Sequence, residues 1–240
     1  MNILITICAR SGSKGVVGKN IKIISGRPLL NYSIETAKKF SKKYKVKIAL
    51  STNDETIRQI AQKAGLFSQY LRPDYLATDN ASKIETIKDL VLYEESLVNY
   101  KYDLILDLDV TSPLRTIKDI ESGLEKLIKN NSAVNLFSVS HASRNPYFNM
   151  VEVNDLGFAS LVKKSPSGSI INRQSAPKVF ELNASFYWYK RVFFDLNLNS
   201  TITDKSIIFE MNHICFDIDN QYDFLFMEFL LNNNKLDFEL

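Results

Sequence analysis

Apolar runs alternate with stretches of helical spacing through the first 140 positions of the chain. Ile3-Leu4-Ile5-Thr6-Ile7-Cys8 reads as a buried strand, and residues 46–51, 103–108 and 134–139 repeat the pattern. Residues 66–70 predict one more short strand. Between them the spacing predicts helices over 29–40, 54–64, 82–93 and 117–129. Strands alternating with helices predict an α/β fold: a doubly wound, mainly parallel sheet flanked by helices.

The rhythm breaks after Ser140. Residues 141–172 are polar, carry Pro146, Gly157, Pro166 and Gly168, and alternate in the manner of a short strand over 148–153. This predicts an inserted β-hairpin arm rather than a second domain. Strand patterns return at 184–189, 207–211 and 215–218, and an apolar helix over 222–231 closes the chain. No repeat or linker divides residues 1–240, so a single domain is expected.

Composition narrows the function classes. Apolar residues make up 45% and charged residues 24%, ordinary globular values. A net charge of +3, spread along the chain, is too small to argue for nucleic acid. The N-terminus lacks a signal-peptide pattern, and no apolar stretch reaches membrane-spanning length. Cys8 and Cys215, both in predicted buried strands, are expected as reduced thiols in a cytoplasmic protein.

The first predicted strand runs into Ala9-Arg10-Ser11-Gly12-Ser13-Lys14-Gly15, then Lys19-Asn20. Glycines let a backbone present N–H donors to an anion, and the cations neutralise phosphate. Two common phosphate motifs are absent. Gly12 and Gly18 are one residue too far apart for a P-loop, and Lys19 is followed by Asn20 rather than Ser or Thr. The spacing of Gly12, Gly15 and Gly18 does not give the G-x-G-x-x-G fingerprint. The alternative is a solvated loop with surface lysines, against which the strand context and the density of cations weigh.

Asp217 and Asp219 flank Ile218, and in an extended segment such a pair points to one face. Two converging carboxylates suit an oxygen-seeking cation such as Mg²⁺, whereas Asp219 alone could cap the last helix. Asp107-Leu108-Asp109, followed by Thr111-Ser112-Pro113-Leu114-Arg115, closes a strand where α/β proteins place ligand loops. It reads as a second metal site, a sugar-nucleotide contact or an ordinary strand end. Arg173, in Asn172-Arg173-Gln174-Ser175-Ala176-Pro177-Lys178, offers a planar fork for carboxylate or phosphate, or lies in a surface loop. His141 and His213 match no metal-ligand spacing.

Together these segments resemble the acylneuraminate cytidylyltransferases. The family pattern A-R-x-x-S-K-G-x-x-x-K-N is met from Ala9 to Asn20, T-S-P-L-R by Thr111 to Arg115, and D-I-D by Asp217-Ile218-Asp219. Sialic acid enzymes carry Gln and Pro where this chain has Asp109 and Val110, which suggests a different sugar. Arg144-Asn145-Pro146-Tyr147-Phe148-Asn149 and the segment around Arg173 look most like the branch that activates legionaminic acid.

The resemblance implies a Rossmann-like nucleotidyltransferase that joins CTP to a nine-carbon nonulosonic acid and releases pyrophosphate. It places Arg10, Lys14 and Lys19 on the triphosphate, with Ala9 and the loop Ser11, Gly12, Ser13 and Gly15 around it. Asn20, Arg72, Ala81 and Ser82 would hold cytosine and ribose. Asp217 and Asp219 would hold Mg²⁺, and Asp109, Thr111, Ser112, Arg144, Arg173, Gln174 and Lys178 would meet the sugar. It also implies a homodimer whose arm reaches the neighbouring site.

Overall fold

A computed structural model describes residues 1–12, 15–165, 168 and 170–240. The chain opens with β1 (Ile3–Cys8), then β2 (Ile23–Ile24) and β3 (Arg27–Pro28), α1 (Leu29–Ser41), β4 (Val46–Ser51) and α2 (Glu55–Lys63). It continues with α3 (Lys83–Ser96), β5 (Leu104–Leu108), α4 (Ile117–Lys129) and β6 (Asn135–His141). The arm holds β7 (Val151–Val153) and β8 (Ala159–Leu161); β9 (Phe180–Lys190), α5 (Arg191–Asp195), β10 (Ser206–Glu210) and α6 (Gln221–Asn232) follow.

The central sheet has the order β10-β6-β9-β5-β1-β4. β1 lies parallel to β4 and to β5, and β10 parallel to β6, while β9 is antiparallel to both of its neighbours. The sheet is therefore mixed and mainly parallel. Side-chain alternation sorts the strands onto two cores. Ile3, Ile5, Ile7, Leu104, Leu106, Phe186 and Trp188 pack with buried residues of α1, α2, α4 and α6. Leu4, Ile105, Tyr187 and Tyr189 pack on the other face with α3 and α5.

Helix starts follow local chemistry. Asp54 caps α2 and Ser82 caps α3, while Thr116 with Asp119 and Asn220 with Asp223 form capping boxes for α4 and α6. The β2–β3 hairpin turns on Ser25 and Gly26, with φ of 47° and 80°, the positive pair that a tight two-residue hairpin requires.

Two predicted strands are absent. Residues 66–70 are irregular: Ser68 Oγ donates to Leu50 O and Arg72 N to Thr52 O, so they fasten to the end of edge strand β4 without forming a ladder. Residues 215–218 are also irregular. There Ile218 N donates to Thr111 O and Ser140 Oγ to Cys215 O, so the segment is tied to two different strand ends rather than to one neighbour. Cys215 is nonetheless buried and Cys8 partly so, and both are free thiols. α5 and the β2–β3 hairpin are too short to stand out as periodic runs.

Beneath the ligand-facing ends of β5 and β9 lies Arg115, which is 1% exposed. Its guanidinium donates to Ser112 O and Asp109 O, each at 2.9 Å, and also to Ser185 O and Ser33 Oγ. One side chain thus joins α1, the loop after β5 and β9. Burial pulls its pKa down to about 10 even though Asp109 and Asp107 lie near. Truncating Arg115→Ala strands several buried acceptors at once. It is expected to cost about 3–5 kcal/mol in urea unfolding, the range for breaking a buried charged network. Arg115→Lys should recover little of this, because one ammonium cannot replace a fork.

Candidate active site

The strand order changes direction between β1 and β5: the chain steps outward from β1 to β4, then crosses back to β5. Open α/β sheets bind ligands in the crevice at such a point, beyond the carboxyl ends of the strands. A cleft of about 300 Å³ lies there, with Arg10, Lys19, Arg72, Lys83, Asp109 and Thr111 among its lining residues.

The loop after β1 forms one wall. Ala9 is buried, with its N–H donating to Ser51 O at 3.0 Å. Arg10 donates to Ala77 O at 3.1 Å and to Asp79 at 2.7 Å. Asn20 Nδ2 donates to Arg10 O at 2.9 Å, and Ser11 N to Asn53 Oδ1 at 3.2 Å, so both ends of the loop are fastened. Gly12 is exposed. Ser13 and Lys14 lie outside the described residues. On the opposite side Arg72 is buried, its guanidinium held by Ser51 Oγ and O at 2.9 and 2.8 Å. Ala81 lines the cleft, and Ser82 starts α3 beside it.

The distant acidic segment meets this loop. A Cβ on Gly15 would stand 1.9 Å from the carbonyl oxygen of Asp219, so any other residue would force the two apart. Lys19 Nζ donates to Ile218 O. Cationic loop and acidic pair are therefore one assembly, although about 200 residues separate them.

Asp219 does not cap the last helix, since Asn220 takes that place. Asp219 is exposed and Asp217 half-buried, with Asp217 Oδ1 fully buried and without a hydrogen-bond partner. Burial, then the carboxylates of Asp109 and Asp219, push Asp217 up to about 6, against the opposing pull of Thr111 and Lys19. An orphaned carboxylate oxygen whose charge is resisted fits an oxygen-seeking cation. No group of three or more His, Cys, Asp or Glu side chains converges among the described residues. Among cations of that kind, Mg²⁺ is the one that takes only one or two carboxylates and leaves its other positions to water and phosphate.

Lys83 was not anticipated. It stands at the first position of α3, and its ammonium lies 2.9 Å from Asp107, pairs with Asp109 and sits 4.7 Å from the centre of the Tyr187 ring. Burial opposes its charge, but Asp107 and Asp109 outweigh it and hold Lys83 well above the ordinary lysine range. Burial likewise opposes Asp109, yet Lys83 and two hydrogen bonds from Thr111 lower it to about 2. The sequence did carry a signal: a cation in the first turn of a helix opposes the macrodipole, a local conflict that needs a compensating partner.

The remaining sugar candidates are divided. Asp109 and Thr111 line the cleft, while Ser112 is fully buried with its hydroxyl 3.6 Å from Cys215 Sγ, beneath the cleft floor. Arg173, Gln174 and Lys178 line a separate pocket with His141 and Asn145 at the root of the arm, and Arg144 is exposed nearby. The chain as a monomer does not bring them into the cleft.

Comparison with known proteins identifies the family and the fold. The family model described as Cytidylyltransferase matches residues 4–219. Post-translational flagellin modification protein B of Campylobacter coli is 41% identical over 98% of this chain and 97% of its own length. The CMP-N,N'-diacetyllegionaminic acid synthase of Campylobacter jejuni subsp. jejuni is 38% identical over the same shares. Among solved structures, CMP:2-keto-3-deoxy-manno-octonic acid synthetase complexed with CTP superposes with a TM-score of 0.69. It covers 98% of this chain and 100% of that one at 16% identity, a likeness of fold.

The raised pKa of Asp217 gives a pH signature with a defined sign. Its folded value lies above the ordinary 3.8, so ionisation between about pH 4 and 6 penalises the native state, and the penalty is complete above pH 6. In chelator-treated protein, Asp217→Asn is expected to raise stability by about 1–3 kcal/mol at pH 7–8. The gain should vanish below pH 4. Melting curves recorded from pH 3.5 to 8 check this, and a gain independent of pH would contradict it.

Proposed function

The chain belongs to the cytidylyltransferase family, and from that premise we propose that it activates a nine-carbon nonulosonic acid with CTP, giving a CMP-sugar and pyrophosphate. The favoured substrate is an N-acylated legionaminic acid, for cell-surface or flagellar glycan synthesis. Two full-length relatives support the reading by their names, a flagellin modification protein and a CMP-N,N'-diacetyllegionaminic acid synthase. The observation that carries it is the seating of Gly15 on the Asp219 carbonyl, which holds the segment of the acidic pair against the cationic loop at the edge of the cleft.

In the proposed reaction the anomeric 2-hydroxyl attacks the α-phosphorus in line, and the Pα–O bond to pyrophosphate breaks. Such transfer depends on positioning and charge neutralisation more than on covalent help from the protein. Arg10, Lys14 and Lys19 serve the triphosphate, with Lys19 opposite the leaving pyrophosphate. Arg72, Asn20 and the turn at Ala81-Ser82 hold the nucleoside. Asp217 and Asp219 would hold Mg²⁺, which supplies Lewis-acid neutralisation of phosphate charge. A CTP-dependent enzyme of this kind belongs in the cytoplasm, and among the described residues no helix is long and apolar enough to cross a membrane.

The arm is proposed to join two copies of the chain. β7 and β8 form a two-stranded sheet of their own, and Val151 and Val153 on β7 with Leu156 and Phe158 in the turn after it are 61–80% exposed. An isolated hairpin is marginal in water, and apolar side chains this exposed call for a partner. A homodimer would also let Arg144, Arg173, Gln174 or Lys178 approach a partner's cleft. A metal-dependent glycosyltransferase acting through Asp107 and Asp109 is disfavoured, because Lys83 already spans both carboxylates.

Pyrophosphate release with CTP, Mg²⁺ and a panel of legionaminic, sialic, pseudaminic and 3-deoxy-manno-octulosonic acids tests the chemistry. The fastest turnover is expected with N,N'-diacetyllegionaminic acid; silence with the whole panel refutes cytidylyl transfer. Lys19→Ala should lower kcat by about 10²–10³-fold, as for loss of one transition-state charge donor. Asp217→Ala should keep CTP affinity and lose divalent-dependent turnover. Sedimentation or solution scattering should show a dimer, and an obligate monomer would refute the arm's proposed role.

A further inference from the structure

The acidic end of β5 holds a cation of its own, and that cation faces the cleft. The Lys83 side chain is 36% exposed, whereas Asp107 and Asp109 behind it are 0% and 19% exposed. An ammonium carries three N–H donors. Two anionic partners are accounted for, Asp107 at 2.9 Å and Asp109. Asp109 is by contrast nearly saturated: Oδ1 accepts from Thr111 N and Thr111 Oγ1 at 3.0 and 2.9 Å, and Oδ2 takes the lysine. The group that the cleft presents at this point is therefore the lysine more than the aspartate.

Resting on the cytidylyltransferase reading, we infer that Lys83 is a substrate-contacting cation. Its remaining N–H donates to an anionic oxygen in the cleft, from either a phosphate of the nucleotide or the carboxylate of the sugar acid. Asp107 and Asp109 are then positioning residues that keep the ammonium charged and fixed, and Tyr187 bounds it from one side. A flexible lysine in solution would lose rotamer freedom on gripping a ligand; this one is already held. The site therefore offers a preorganised cation where two anionic substrates have to be brought together. A sequence difference at 109 would act on substrate choice through the placement of Lys83.

Lys83→Met and Lys83→Arg variants of the full chain separate the outcomes, with CTP affinity read by calorimetry and the KM for N,N'-diacetyllegionaminic acid by pyrophosphate release. If the oxygen belongs to a phosphate, Lys83→Met weakens CTP binding about tenfold or more. If it belongs to the carboxylate, CTP affinity stays within twofold and the sugar KM rises about tenfold or more. Either result supports the inference, with partial recovery in Lys83→Arg and a smaller shift of the same parameter in Asp109→Asn. Both parameters unchanged within twofold in a folded Lys83→Met protein overturns it. Should Lys83→Met not fold, Lys83→Arg and Asp109→Asn still decide: wild-type values for both parameters in both variants overturn the inference. If the unaltered protein turns over none of the sugar acids, it is the cytidylyltransferase reading that fails instead.

Discussion

Two carboxylates of β5 and the loop after it, Asp107 and Asp109, are placed where an α/β sheet opens to its ligand, and both are largely removed from water. Like charges so close in a poorly solvated place are unstable unless cations meet them. Lys83 meets them from α3 on one face of the sheet. Arg115 approaches from the loop after β5, gripping backbone carbonyls and the hydroxyl of Ser33 in α1. Helices from both layers are thereby locked to the strand end that forms the cleft floor. Asp217, from a third part of the chain, feels the same negative field.

The second organising contact is steric. Gly15 allows the loop after β1 to lie on the backbone of Asp219, and Lys19 closes the junction at Ile218 O. Thr111 O takes the N–H of Ile218, so the loop after β5 joins the same junction. Three segments from the start, middle and end of the chain meet at this junction beside the cleft, joined through backbone carbonyls. The ammonium of Lys19 and the orphaned oxygen of Asp217 are the features a phosphate–cation complex would use.

Much of this is legible in the sequence. β1, β4 and α4 occupy the predicted residues, because each is a long run whose periodicity is undisturbed. The segments 66–70 and 215–218 misled for a shared reason. Each is apolar because it is buried or lies near the core, and burial alone does not supply a neighbouring strand to pair with. Lys83 was passed over because a lone lysine after a helix cap looks like a solvated charge. Its importance comes from Asp107 and Asp109, which lie more than twenty residues on.

Local pattern by itself determined the α/β class, the loop of Gly, Ser, Arg and Lys, and the presence of a carboxylate pair near the end. These depend on residue type and short spacing, which the chain states directly. Tertiary structure decided which of them meet. It set β9 antiparallel between β5 and β6, brought Asp219 onto Gly15, and turned Ser112 inward. It also left Arg173, Gln174 and Lys178 at the root of the arm. Those outcomes depend on the long-range order of strands and on the balance of buried charge, neither of which any short stretch of sequence contains.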